Sequence, residues 1–228
     1  MFTLIQKTIR RIVLLFFGST ILAVLIYKWC PVYVTPLMLI RCAQQVWHGE
    51  TLRLKHHWVP LDSMSIYMPV AVMASEDQRF LMHNGFDFIE INNAIEERRS
   101  GKRIRGGSTI SQQTAKNVFL WPNSGWVRKG LEAYFTILIE LVWGKERTME
   151  VYLNSIEMGN GIYGAEAAAN QHFGRKATTL TRPNCALIAA TLPNPLKYNA
   201  KEPSSYILKR QTAIMVQMRH IDVFPRKK

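Results

Sequence analysis

At 228 residues the chain has room for one domain with its own buried core beside a short terminal segment, and a second catalytic module would not fit. Its 29 Lys and Arg against 16 Asp and Glu give a formal charge of +13, with 48% hydrophobic and 11% aromatic residues, so the partner to look for is anionic: nucleic acid, a membrane surface or a phosphorylated substrate. Cys30, Cys42 and Cys185 have neither metal-ligand spacing nor the density of a disulfide framework, which excludes a chain organised by either.

Lys7, Arg10 and Arg11 precede an uncharged stretch from Ile12 to Tyr27, which Lys28, Trp29 and Pro31 bring to an end. A bilayer core takes ~20 apolar residues, so this stretch spans it with Lys28 snorkelling and Trp29 and Tyr33 at the interface. A cleavable signal peptide fits less well, because no small-x-small cleavage site follows. The basic cluster keeps the N-terminus in the cytoplasm and exports everything after Lys28. Nucleic acid then drops out as a partner, and anionic lipid headgroups or a lipid pyrophosphate remain. Residues 1–34 are read as a cytoplasmic tip and transmembrane anchor.

Residues 35–68 carry scattered prolines and a basic, aromatic patch (Lys55, His56, His57, Trp58) and read as a membrane-proximal connector. From Pro69 onward the pattern is helical. Asp87 with Glu90 predicts a capping box ahead of Phe88, Ile91 and Ile95, and Gly101 fits a stop. Further helices are expected over 108–120, 127–143, 147–157, 163–172, 180–191 and 204–220. Alternating strand patterns are scarce, so the fold class is mainly α, with residues 69–228 as the exported domain.

Three segments carry candidate chemistry. The first runs from Glu76 through Asp77 and Arg79 to Asp87, after the apolar run Val70–Ala74. A carboxylate at the end of a hydrophobic helix gains proton affinity and can serve as a general base, although a solvated helix terminus with ordinary ion pairs fits the same residues. In the second, Gly106 and Gly107 precede Ser108 and Thr109, then Gln112, Gln113, Lys116 and Asn117. Free amides at a positive helix end suit an anion, Lys116 lies further along the helix and Arg103 and Arg105 come just before it; an ordinary loop and cap would look alike. In the third, a greasy helix over 127–143 carries Arg128, Lys129, Glu132, Thr136 and Glu140. Burial of Glu132 without a partner is disfavoured, so it should face Arg128, Lys129 or a functional cleft.

These segments in this order, followed by Lys145-Glu146-Arg147-Thr148-Met149-Glu150-Val151-Tyr152-Leu153-Asn154 and Pro193-Asn194-Pro195, resemble the five motifs of the peptidoglycan glycosyltransferases over about residues 69–220. Ser-x-x-Lys followed by Lys-Thr-Gly is absent, so the resemblance is to the monofunctional form without a transpeptidase half. It implies a lysozyme-like helical fold with a membrane-embedded jaw within residues 86–105. It also implies polymerisation of lipid II into β-1,4-linked glycan with inversion and release of undecaprenyl diphosphate.

By motif position Glu76 would be the general base. Glu132 would be the second carboxylate near the donor pyrophosphate, its charge offset by cationic side chains or by a divalent cation, Mg or Mn. Lys116 would stabilise the leaving pyrophosphate, and Asp77, Arg79, Ser108, Thr109, Gln112, Gln113, Asn117, Arg128 and Lys129 would bind substrate in the same cleft. One departure stands out: Ser124 occupies the position where members usually carry an arginine that helps bind the pyrophosphate. The implied partners are lipid II, the growing glycan chain and membrane lipids, with cell-division or cell-wall synthesis proteins as candidates. The implied location is the inner membrane, with the domain in the periplasm. Two rivals remain open at the sequence level, a lytic murein hydrolase or lyase and a non-catalytic anchored scaffold; the cleaving enzyme would need no pyrophosphate site.

Overall fold

The computed structural model describes residues 2–101 and 107–225. Arg103, Arg105 and Gly106, and with them part of the expected jaw, lie outside the described residues. Helices dominate: α1 (Phe2–Trp29), α2 (Pro36–Trp47), α3 (Tyr67–Glu76), α4 (Phe88–Arg99), α5 (Ile110–Phe119), α6 (Trp126–Val142), α7 (Gly144–Ser155), α8 (Ala165–Phe173), α9 (Arg182–Thr191) and α10 (Ser205–Gln217). Three short strands, β1 (Lys55–His56), β2 (Glu157–Gly159) and β3 (Ile162–Tyr163), form one sheet in which β3 runs parallel to β1 and antiparallel to β2.

Two large apolar cores organise the described residues, beside a small third cluster of Leu37, Met38 and Tyr163. The larger lies around α3, whose residues Met68–Ala74 are all buried, and joins α7, α8, α9 and α10 through Leu153, Ala168, Ile188 and Ile207. The smaller joins α5, α6 and α7 to the end of α1 through Ala115, Phe135, Ile139, Val151 and Val24. Helix α5 therefore contributes to both, Ile110 to the first and Ala115 and Val118 to the second. Its position between the cores is what later brings its polar residues beside two other helices.

α1 extends well beyond the stretch without charge, and Lys7, Arg10 and Arg11 are part of it. It is the one helix among the described residues long and apolar enough to cross a membrane, and Leu14 and Leu15 lie exposed on it. Twenty-eight residues at ~1.5 Å each reach ~42 Å, more than a hydrocarbon core requires. The helix is fixed to the domain at its far end. Trp143 Nε1 donates to Val24 O at 2.8 Å, and Arg147 donates to Tyr27 O at 2.9 and 3.0 Å while lying 5.0 Å from the Trp58 ring. Tyr134 meets Thr20 oxygen to oxygen at 2.8 Å, further back along the same helix.

Within the segment read as a connector, Thr35 caps α2 by accepting from Met38 N, with Pro36 opening the helix. Gln45 Oε1 accepts from Arg53 N at 2.8 Å, folding the following chain back toward β1. α4 begins where Asp87 predicts, but only half of the expected box forms: Asp87 Oδ1 accepts from Ile89 N and Glu90 N, whereas Glu90 Oε1 accepts from Asn93. Gly161 is required by a turn. Its φ is +70° and an added Cβ would sit 2.4 Å from Arg53 O, so a side chain there would separate β3 from the chain before β1.

Candidate active site

Glu76 is the last residue of α3, where the central core helix runs out to the surface of a cleft and leaves this side chain half-buried. Both oxygens are held. Ser75 Oγ lies 2.9 Å from Oε1, and Gln113 Nε2 of α5 donates to Oε2 at 3.1 Å. Gln113 is itself oriented, because its Oε1 accepts from Tyr152 OH at 3.1 Å. Burial and the neighbouring Glu76 and Asp77 push the Tyr152 phenol well above its usual range, so it remains a neutral donor.

Asp77 turns into the protein. It meets His83 Nε2 at 3.0 Å and accepts from Ile110 N at 3.0 Å, tying the end of α3 to the first residue of α5. Thr109 and Gln112 are buried too and form a reciprocal capping box, with the Thr109 hydroxyl also donating to Gly85 O at 2.6 Å. Gly85 has φ +87°, and a Cβ there would lie 2.8 Å from Thr136 Cγ2, so the turn after Glu76 can rest on α6 only as glycine. Arg79 Nε donates to Asp87 Oδ2 at 2.9 Å. Asp77, Thr109, Gln112 and Arg79 thus assemble the cleft from within, and Ser108 lies half-buried just before the cap.

The third segment folds against α5. Glu132 is 3% exposed, and Arg128 Nη1 donates to its Oε2 at 2.7 Å while Lys129 Nζ donates to Oε1. Its buried charge is offset by these two cations, as the spacing required. Arg128 Nε is buried and has no hydrogen-bond partner among the described residues. Lys116 belongs to the same cluster: burial draws its ammonium down from the usual lysine range, Glu132 most strongly pulls it back, Arg128 and Lys129 lower it further and Glu76 opposes them. Glu76 and Glu132 are therefore two carboxylates whose fields meet at one lysine.

Because both Glu132 oxygens are engaged by side-chain cations, the residues present do not offer this carboxylate as a free ligand for a divalent ion. Asp77, His83 and Asp87 do bring potential ligand atoms within 4.8 Å of one another, but Asp77 serves Ile110 N and Asp87 serves Arg79 and the start of α4.

Beyond Lys116 a groove of about 260 Å³ opens, lined by Gln113, Lys116, Asn117 and Trp121 on one side. Leu37 and Arg41 of α2, Ile156 and Glu157 at β2, and Leu192, Pro193 and Pro195 after α9 complete it. Burial pushes the Glu157 carboxyl up, and the nearby Arg41 draws it back. Sequence reasoning missed the α2 and β2 contributions. A signal for the first was available, since Thr35-Pro36 is a cap followed by proline at the first helical position and Leu37 and Arg41 are one turn apart. Ser124 is exposed, between this wall and α6.

A carboxylate with both oxygens fixed can take a proton from a hydroxyl placed against its open side. Lys116, Arg128 and Lys129 can receive the negative charge of a departing phosphate.

Residues 44–219 match the family model described as Transglycosylase. The chain is 59% identical, over 97% of its own length and 89% of the other's, to a protein of Bacteroides thetaiotaomicron named biosynthetic peptidoglycan transglycosylase. Proteins bearing the same name in Bdellovibrio bacteriovorus and Caulobacter vibrioides are 52% and 50% identical, over 92% of this chain in each case and 84% and 91% of theirs.

Proposed function

The chain belongs to the transglycosylase family, and on that premise we propose that it polymerises lipid II into β-1,4-linked glycan, with Glu76 as general base. The observation that carries this reading is that Lys116 feels the charge of both Glu76, held by Gln113, and Glu132, held by Arg128, which supports a proton acceptor and an anion site in one cleft. A hydrolase would need the first and not the second.

In the proposed reaction the 4-hydroxyl of an incoming lipid II lies against Glu76. As its oxygen bonds to the anomeric carbon of the growing chain, the proton passes to the carboxylate. The bond from that carbon to the diphosphate breaks on the opposite face, which inverts the centre. The electron pair leaves with undecaprenyl diphosphate, and Lys116, Arg128 and Lys129 stabilise the charge that gathers there. Arg128, whose Nε has no hydrogen-bond partner among the described residues, is a candidate to answer for the arginine that Ser124 replaces. Gln113 and Ser75 keep Glu76 aimed throughout.

α1 supports a single-pass anchor in the inner membrane. Lys7, Arg10 and Arg11 before its apolar stretch support a cytoplasmic N-terminus and a periplasmic domain. The attachment of Trp143 and Arg147 to the end of α1 supports a cleft held close to the membrane that carries its lipid-linked substrate.

Incubating the full-length protein with purified lipid II in detergent micelles tests the reading. Glycan polymer and free undecaprenyl diphosphate are expected. Degradation of preformed peptidoglycan with no polymer formed would replace it with the hydrolytic alternative.

A further inference from the structure

α2 lies outside the motifs that carry the family resemblance, yet it places a charged residue in the groove. Arg41 Nη2 lies 3.5 Å from Glu157 Oε2, and Arg41 Nη1 donates to Gln44 Oε1 at 3.1 Å. Glu157 Oε1 accepts from Tyr163 OH at 3.2 Å, which fixes the carboxylate from behind. Arg41 Nε is buried with no hydrogen-bond partner among the described residues, so this guanidinium has a donor that they leave unused.

The pairing decides the class of ligand. An anion approaching Arg41 would meet the Glu157 carboxylate beside it, whereas a neutral, many-hydroxyl ligand can accept from the one and donate to the other. Trp121, 40% exposed, and the rings of Pro122, Pro193 and Pro195 supply apolar faces along the same groove. Hydrogen-bonding groups between flat apolar walls suit a saccharide. At about 260 Å³ the groove would hold part of a chain rather than a whole ligand. Lys116, which in the proposed reaction faces the diphosphate that carries the sugar chain, lines the groove as well.

We propose that Arg41 and Glu157 form a saccharide-holding pair that grips neutral hydroxyl and acetamido groups of the growing glycan. They thereby set how many sugars are added before the chain departs. The proposal rests on the polymerase reading for its consequence, but its binding claim can be tested separately. Arg41 acts on the sugar chain and not on the bond being made.

The probe is a lipid-free tetrasaccharide of alternating N-acetylglucosamine and N-acetylmuramic acid with its carboxyl groups amidated, titrated calorimetrically into the full-length protein in micelles. Arg41→Ala is expected to weaken its binding about tenfold, the loss of a hydrogen bond to a charged group, and to shorten the glycans made from lipid II. Arg41→Lys, which keeps the charge without the planar fork, should bind between the two. Unchanged tetrasaccharide binding in Arg41→Ala, with thermal unfolding as in the parent, would overturn the proposal. So would weaker binding of inorganic pyrophosphate in that variant with the tetrasaccharide unaffected, since the pair would then belong to the leaving group. A parent that binds the tetrasaccharide through Arg41 but polymerises nothing would uphold the pair and sink the polymerase reading instead.

Discussion

Gln113 Nε2 donates to Glu76 Oε2 at 3.1 Å while Gln113 Oε1 accepts from Tyr152 OH, also at 3.1 Å. One amide thus links the proposed base to a fully buried phenol, and its two ends cannot be exchanged without setting the amide oxygen against the Glu76 carboxylate, acceptor against acceptor. Gln113→Leu should lower kcat by roughly 10- to 100-fold through loss of aim at Glu76. The same change leaves the Tyr152 hydroxyl without an acceptor and should cost about 1–3 kcal/mol of stability. Steady-state kinetics with lipid II and denaturant unfolding read the two effects separately.

In the proposed reaction Lys116 should set the alkaline limit of activity. Its ammonium is drawn below the ordinary lysine range by burial, so the charge needed by the leaving group is present at low and neutral pH and is lost as pH rises through the lowered value. The alkaline limb of the kcat profile should therefore fall earlier than an exposed lysine would allow. Lys116→Arg, which stays charged, should carry that limb to higher pH, and Lys116→Ala should cost about 10²- to 10³-fold in kcat.

Asp77 is expected to matter for stability as much as for rate. Removing it by Asp77→Ala leaves Ile110 N and His83 without their acceptor and frees the start of α5, for a cost of about 3–5 kcal/mol. Asp77→Asn keeps the shape but turns an NH2 toward one of two donors, and about 1–3 kcal/mol is expected. Urea denaturation midpoints, measured beside polymerisation rates, check the order.

Much of this was legible because local chemistry was sufficient. The apolar run after Arg11 gives α1, the hydroxyl of Thr109 gives the start of α5, and the spacing of Arg128 and Glu132 on a greasy helix gives their ion pair. The ordered motifs then raised Glu76 above an ordinary helix terminus. What stayed hidden is assembled over long distances in the chain. The groove takes walls from Leu37, Trp121, Glu157 and Pro193, four segments with no shared periodicity. The strands are two or three residues long, too short for alternation to show. α2 is obscured because the scattered prolines of its segment read as breaks, although Pro36 opens the helix rather than ending one. Asp77 and Thr109 are expected in the motifs as substrate ligands, and their burial with contacts to Ile110 N and Gly85 O adds a part in holding the cleft together that the sequence does not show.

The proposed proton transfer depends on Glu76. Replacing it by glutamine preserves shape and leaves an oxygen to accept from Gln113 or Ser75, while removing the group that takes the proton. The measurement is glycan polymer formed from lipid II by the full-length Glu76→Gln protein, with thermal unfolding recorded alongside. Polymerisation reduced by about 10²- to 10⁴-fold with unfolding close to that of the parent is the predicted result. A glutamine variant that polymerises lipid II at the parental rate would contradict it.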